Sequence, residues 1–175
     1  AGTLTSLRDL GRDEHWLQDW LCEDLERLGL GPLRLVEQEQ TQARGGQLDI
    51  LASNGDTYYS IEVQLGEVDA SHGFRTFDYW ARNRRRFPSA THVAVLVAES
   101  TVGRFRVALE ELAELTPLLV VELRSWRGGH EAVIVPELVI RNSSLDVSNT
   151  PLAATTGESR SEEDWKDSAS PQAWD

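Results

Sequence analysis

The sequence predicts an α/β domain, a mixed sheet with helices packed against it. Three observations carry the prediction. Helical and strand-like periodicities alternate along the chain in the order helix, strand, hairpin, helix, strand, helix, strands. Asn54-Gly55 separates two alternating apolar/polar runs, a strong hairpin signal. Val93 to Ala98 is a continuous apolar run of the kind found in strands buried on both faces.

Taken in order, Asp13 to Leu28 reads as one amphipathic helix. Trp16, Leu17, Trp20, Leu21, Leu25 and Leu28 recur at helical spacing, Asp13 and Glu14 form an acidic first turn, and Gly29, Gly31 and Pro32 end it. The two tryptophans are read as core. Leu33 to Glu39 is a strand, followed by a turn at Gly45-Gly46. A second helix runs from Asp69 or Ala70 to about Phe87, capped by Asp69 and stopped by Pro88, with Phe74, Phe77, Trp80 and Ala81 as its apolar stripe. Its flanking strands are expected to be parallel through a right-handed crossover. Ser100 or Thr101 is expected to cap a third helix that reaches Leu115. Leu118 to Trp126 and Glu131 to Ile140 then read as strands joined at Gly128-Gly129.

Residues 1–141 are thus expected to form the α/β domain, and 142–175 an acidic, flexible tail docking at most through contacts such as Trp165. The net charge is -12, of which the tail, with seven acidic and two basic residues, carries -5 and the preceding residues -7. That balance argues against general coating of a polyanion, because nucleic-acid affinity comes largely from neutralised phosphates. It leaves room for a focused site, since Arg75, Arg82, Arg84, Arg85 and Arg86 cluster on the second helix. One cysteine, no long apolar run and no secretory start point to a reducing, cytoplasmic setting and no membrane partner.

The hairpin holds the residues with chemistry. With Asn54-Gly55 as a two-residue loop, Asp49 faces Ser60 and Gln47 faces Glu62. Leu48, Ile50, Ala52, Tyr59, Ile61, Val63 and Leu65 then share one face, and Gln47, Asp49, Leu51, Tyr58, Ser60, Glu62 and Gln64 the other. Asp49 and Glu62 become diagonal neighbours about 7 Å apart, a span over which two carboxylates can share one divalent ion. Leu51 and Tyr58 indicate that this face is partly covered. The bland alternative is a solvated face of an amphipathic hairpin.

Gln47-Leu48-Asp49-Ile50-Leu51, the turn, and Ile61-Glu62-Val63-Gln64 resemble the D…ExK core of the PD-(D/E)xK nuclease superfamily. The resemblance covers roughly residues 13 to 126. It implies a restriction-endonuclease-like αβββαβ core with additional C-terminal strands, and Mg²⁺- or Mn²⁺-dependent cleavage of nucleic acid, DNA above all. Asp49 and Glu62 would be the metal ligands, Gln64 would stand at the lysine position, and Glu14 would match the helical glutamate of many members. Glu39 resembles a further acidic position of some branches, and Asp69, His72, Arg75 and Tyr79 are similar to residues of uncharacterised ones. Arg75, His72, Arg82 and Arg85 would contact phosphate, while Asp69 reads as a cap before a ligand. Cutting both strands would imply a homodimer. Gln in place of Lys is a departure, because an amide cannot move a proton as an amine can. It leaves open a catalytically silent nuclease-fold module that binds nucleic acid or protein, with the tail as a recruiting element.

Overall fold

The computed structural model describes residues 2–41, 47–129, 131–145 and 155–158, with the side chains of 39–41, 47–48 and 155–158 set aside. Its strands are β1 (Thr3–Thr5), β2 (Arg34–Thr41), β3 (Gln47–Ser53), β4 (Thr57–Val63), β5 (Thr91–Ala98), β6 (Leu118–Gly128), β7 (Glu131–Arg141) and β8 (Thr155–Glu158). The α-helices are α1 (Glu14–Glu23), α2 (Ala70–Arg86) and α3 (Phe105–Leu115). All eight strands belong to one mixed sheet in the order β2-β3-β4-β5-β6-β7-β8. β4, β5 and β6 are mutually parallel, as the crossover through α2 requires, and the other pairs are antiparallel. The short β1, absent from the sequence reading, pairs with Ser125–Arg127 of β6, beyond the stretch of β6 that β5 occupies.

The sheet separates two apolar layers. On one side Leu17, Trp20 and Leu21 of α1, with Leu25 and Leu28, pack on Ile50, Ala52, Tyr59, Ile61 and Val63; Trp16 lies partly buried against the same cluster. On the other, α3 and the partly buried Phe77 and Trp80 of α2 cover Ala94, Leu96, Leu118 and Val120. β5 is therefore buried on both faces after its first residue.

Two helices start or stop where periodicity does not show it. The first ends at Glu23, because Asp24 is extended (φ -157°) and its side chain accepts from Glu26 N to restart the chain as a 3-10 turn over Leu25–Leu28. Leu21, Leu25 and Leu28 stay buried through the break, which is why the apolar spacing conceals it. The third helix begins at Phe105. Thr101 does not cap it, because Thr101 N and Oγ1 both donate to the buried Glu122, the amide at 2.8 Å. Ser100 likewise lies before the helix and outside its cap position.

Of the segment read as a tail, Asn142 is buried and donates to Ala113 O and Thr116 O at 2.6 and 3.0 Å, and β8 pairs with β7. Trp165 lies outside the described residues. None of the described helices is long and apolar enough to cross a membrane.

Candidate functional site

The hairpin turns one residue later than the sequence reading places it. Asn54 is still paired: its N–H donates to Thr57 O at 3.2 Å and its Oδ1 accepts from Thr57 N at 3.3 Å. Gly55 and Asp56 form the tip, with Gly55 at φ 111°, a conformation in which a side chain is strained. The strand register becomes Ser53↔Tyr58, Ala52↔Tyr59, Leu51↔Ser60 and Ile50↔Ile61. Shifting the tip by one residue keeps every side chain on its expected face but moves each partner by two. The paired register ends at Ile50–Ile61; carried one step further it would set Asp49 across from Glu62 instead of diagonal to it, and the Asp49 charge acts on Glu62.

The face carrying this pair lies under α2, joined to it by a ladder of contacts. Arg75 meets Glu62, Tyr79 packs with Leu51, and Asn83 donates to Ser60 at 2.9 Å. Arg86 holds Glu37 of β2 at 2.8 Å. α2 is set in place at its start by Asp69, whose side chain accepts from His72 N at 2.9 Å and meets His72 Nδ1 at 3.0 Å. Those contacts, led by the His72 amide, hold the Asp69 carboxyl below its ordinary range.

Within this cover, Asp49 Oδ2 accepts from Val63 N at 2.7 Å, its carboxylate serving the end of β4. Glu62 is 0 % exposed. Arg75 Nη2 comes within 2.6 Å of Glu62 Oε1, but off the direction a hydrogen bond needs. The contact is an ion pair, and neither Glu62 oxygen has a directed donor among the described residues. Burial first, then the neighbouring Asp49 charge, push the Glu62 carboxyl up to about 8 against the pull of Arg75. Burial also raises Asp49, to about 6, while the Val63 amide and the Arg75 charge act the other way. Glu14 adds repulsion to both carboxyls, and His72 attraction to Asp49, which places both in the same electrostatic neighbourhood. Glu14 Oε1 accepts from Leu65 N at 3.3 Å.

These observations test the site against a divalent ion. Two neighbouring buried carboxylates share a single cation, Arg75, so ionising both leaves negative charge that a further cation would offset. Among the described residues no three His, Cys, Asp or Glu side chains converge as a metal site. Two protein carboxylates suit Mg²⁺ nonetheless, because that ion keeps several waters and is commonly held by one or two carboxylates plus phosphate oxygens. The residues present fit the ion.

The remaining site residues read from the sequence are distributed differently. Gln64 is 4 % exposed and turned into the loop before α2, where Nε2 donates to Glu67 O at 2.7 Å and Asp69 Oδ2 at 3.2 Å. Arg82 pairs with Asp78 at 2.8 Å, and Arg85 is exposed about 15 Å along α2 from Arg75. The Glu39 side chain is outside the described set. Sequence reasoning missed Glu99, whose two oxygens accept from Leu7 N (2.6 Å) and Gly66 N (2.7 Å) and so fasten the N-terminal segment to the turn after Gln64. No local motif signals it, since its partners are 92 and 33 residues away. Glu99 also lines a cleft of about 630 Å³ with Glu67, Glu122 and Arg124, which contains neither Asp49 nor Glu62.

No family model and no curated protein matches the sequence. Two solved structures do resemble the fold. A repair endonuclease from Pyrococcus abyssi superposes with a TM-score of 0.50 at 15 % identity, over 57 % of this chain and 43 % of that one. EndoMS in its complex with double-stranded DNA superposes with a TM-score of 0.52 at 16 % identity, over 63 % of this chain and 44 % of that one. The chain spans less than half the length of either protein, and what it shares with them is the mixed α/β endonuclease fold, its central sheet flanked by helices.

Proposed function

We propose that this protein is a divalent-metal-dependent nuclease that hydrolyses phosphodiester bonds of DNA. The observation that carries the reading is the pair Asp49 and Glu62, electrostatically coupled on a covered sheet face, with no directed donor to either Glu62 oxygen among the described residues. Asp49 and Glu62 would hold Mg²⁺ or Mn²⁺. A bound ion supplies a water of lowered pKa and stabilises charge developing on the phosphate. Arg75, beside both carboxylates, and His72, near Asp49, stand on the first turns of α2 and would contact phosphate oxygens. Arg85 and Arg82 lie farther along that helix and would contact phosphates of a bound strand. Glu14 approaches from α1 as a third acidic group. The likeness to two endonuclease folds, one of them bound to double-stranded DNA, supports DNA as the substrate class.

The rival is a nuclease fold without catalysis, acting as a binding module. It is favoured by one observation, a buried glutamine where the resemblance calls for lysine. Nicking of supercoiled plasmid in Mg²⁺ or Mn²⁺, quenched with EDTA, separates the two. A metal ion stabilises the transition state by several kcal/mol, so Asp49→Ala and Glu62→Ala should each reduce nicking by on the order of 10²-fold or more. Undiminished nicking in either variant would rule out this site. No metal-dependent cleavage of any DNA by the wild type, with no calorimetric binding of Mn²⁺, would favour the rival.

A further inference from the structure

Gln64 is closed off from the space in front of the carboxylates. Its two amide hydrogens serve Glu67 O and Asp69 Oδ2, and its Oε1 accepts from Asp69 N at 3.3 Å. These are the donors and the acceptor that a primary amide has to offer, and the side chain is buried. What they accomplish is structural. They tie the end of β4 to the cap residue of α2, and the chain from Asp69 onward inherits that position.

Arg75 shows the opposite pattern. It stands six residues into α2, with its guanidinium 2.6 Å from Glu62 and the side chain 43 % exposed. Its charge acts on Asp49 as well as Glu62. One end of the group therefore lies against the carboxylate pair and Nε is buried, while the exposed part of the side chain is open to an incoming ligand. A guanidinium presents several donors in a planar fork that matches phosphate oxygens, and it keeps its charge at any working pH.

We propose that Arg75 is the cationic catalytic residue of this site, contacting the scissile phosphate in place of the group at position 64, and that Gln64 is a structural tie between β4 and α2. The proposal rests on the nuclease reading. Hydrolysis forms one P–O bond to water and breaks one ester P–O bond, the water's proton reaching the leaving alkoxide through solvent. Arg75 neither gives nor accepts that proton. Its contribution is to face the negative charge that grows on the phosphate oxygens, and deleting such a group costs about 10²–10³-fold in rate.

The test compares wild type, Arg75→Ala, Arg75→Lys and Gln64→Lys in single-turnover plasmid nicking with Mn²⁺. Mn²⁺ affinity without DNA and thermal melting are measured in parallel. Arg75→Ala should lose on the order of 10²-fold in cleavage rate. It should keep or tighten Mn²⁺ binding, because the competing positive charge beside Glu62 is gone. Arg75→Lys should recover part of the rate. Gln64→Lys should melt lower and cleave no faster than wild type. Wild-type cleavage by an equally active Arg75→Ala overturns this proposal and leaves the nuclease reading standing, as does Gln64→Lys cleaving tenfold faster than wild type. A wild type that never cleaves defeats the nuclease reading, and this proposal with it. If Arg75→Ala melts too low to assay, Arg75→Lys decides: a partial loss of rate with Mn²⁺ binding kept supports the role of Arg75, and a rate equal to that of wild type, or a loss accompanied by weakened Mn²⁺ binding, overturns it.

Discussion

Replacing Glu62 by glutamine should stabilise the metal-free protein at alkaline pH. Desolvation and the Asp49 charge both act against ionised Glu62, and Arg75 compensates only in part, so the carboxyl is raised from its ordinary 4.5 to about 8. Below the unfolded value both states hold the proton and no penalty arises. Between about 4.5 and 8 the native state retains a proton that the unfolded chain has released, so stability falls as pH rises through that window. At 1.36 kcal/mol per unit, the loss between pH 5 and pH 8 is about 3 kcal/mol from this group. The variant keeps the shape of the side chain and lacks the charge. Urea denaturation in EDTA from pH 5 to 8.5 should show near-equal stability at pH 5 and a variant more stable by about 3 kcal/mol at pH 8. The opposing outcome has a definite meaning. If the Arg75 pair dominates, removing one partner strands a buried guanidinium, and the variant is weaker by about 3–5 kcal/mol at pH 8. That result would refute the balance of forces drawn here.

Three further outcomes follow from the same geometry. Divalent-ion binding should release protons, because the ion selects ionised Asp49 and Glu62, raised to about 6 and 8; titration calorimetry at pH 7 in buffers of different ionisation heat should show it, and Mn²⁺ affinity should climb until about pH 8. Asp69→Ala should lose the cap of α2 together with the Gln64 contact, lowering stability by about 1–2 kcal/mol in chemical denaturation. Arg85→Ala should leave folding unchanged and weaken DNA binding, and the slope of log affinity against log salt should shrink by about 0.9 if this side chain neutralises one phosphate.

The face assignments of the hairpin were legible because side-chain alternation has a period of two and survives an error in the position of the turn. Ile50, Ala52, Tyr59, Ile61 and Val63 all belong to the α1 side, and Leu51 packs under α2 with Tyr79, as expected of a covered face. The pairing itself was not legible. Both Asn54-Gly55 and Gly55-Asp56 can form a two-residue tip. The choice rests on Asn54, whose side chain accepts from Thr57 N and donates to the Tyr59 hydroxyl, a contact that no propensity encodes. The helix starts divide in the same way. Asp69 caps α2 through a local hydrogen bond and was found, whereas Thr101 is drawn away from α3 by Glu122, 21 residues distant.

The arginines of α2 show most sharply what side-chain partners add to composition. In the sequence, Arg82, Arg84, Arg85 and Arg86 look like one basic patch set against a net charge of -12. In the fold Arg82 pairs with Asp78, Arg84 lies 4.7 Å from the centre of the Trp80 ring, and Arg86 grips Glu37 of β2. Ion pairs this exposed contribute little stability, so their main effect is on the field. Each acidic partner cancels charge that a phosphate would otherwise meet. A DNA backbone approaching α2 therefore meets its least cancelled charge at the exposed Arg84 and Arg85, whereas at the Arg75 end the carboxylate pair opposes it. A divalent ion there would relieve that opposition, because it offsets the charge of Asp49 and Glu62. Affinity for DNA should accordingly depend on the ion even where no bond is cut, an expectation that a uniformly basic helix would not create.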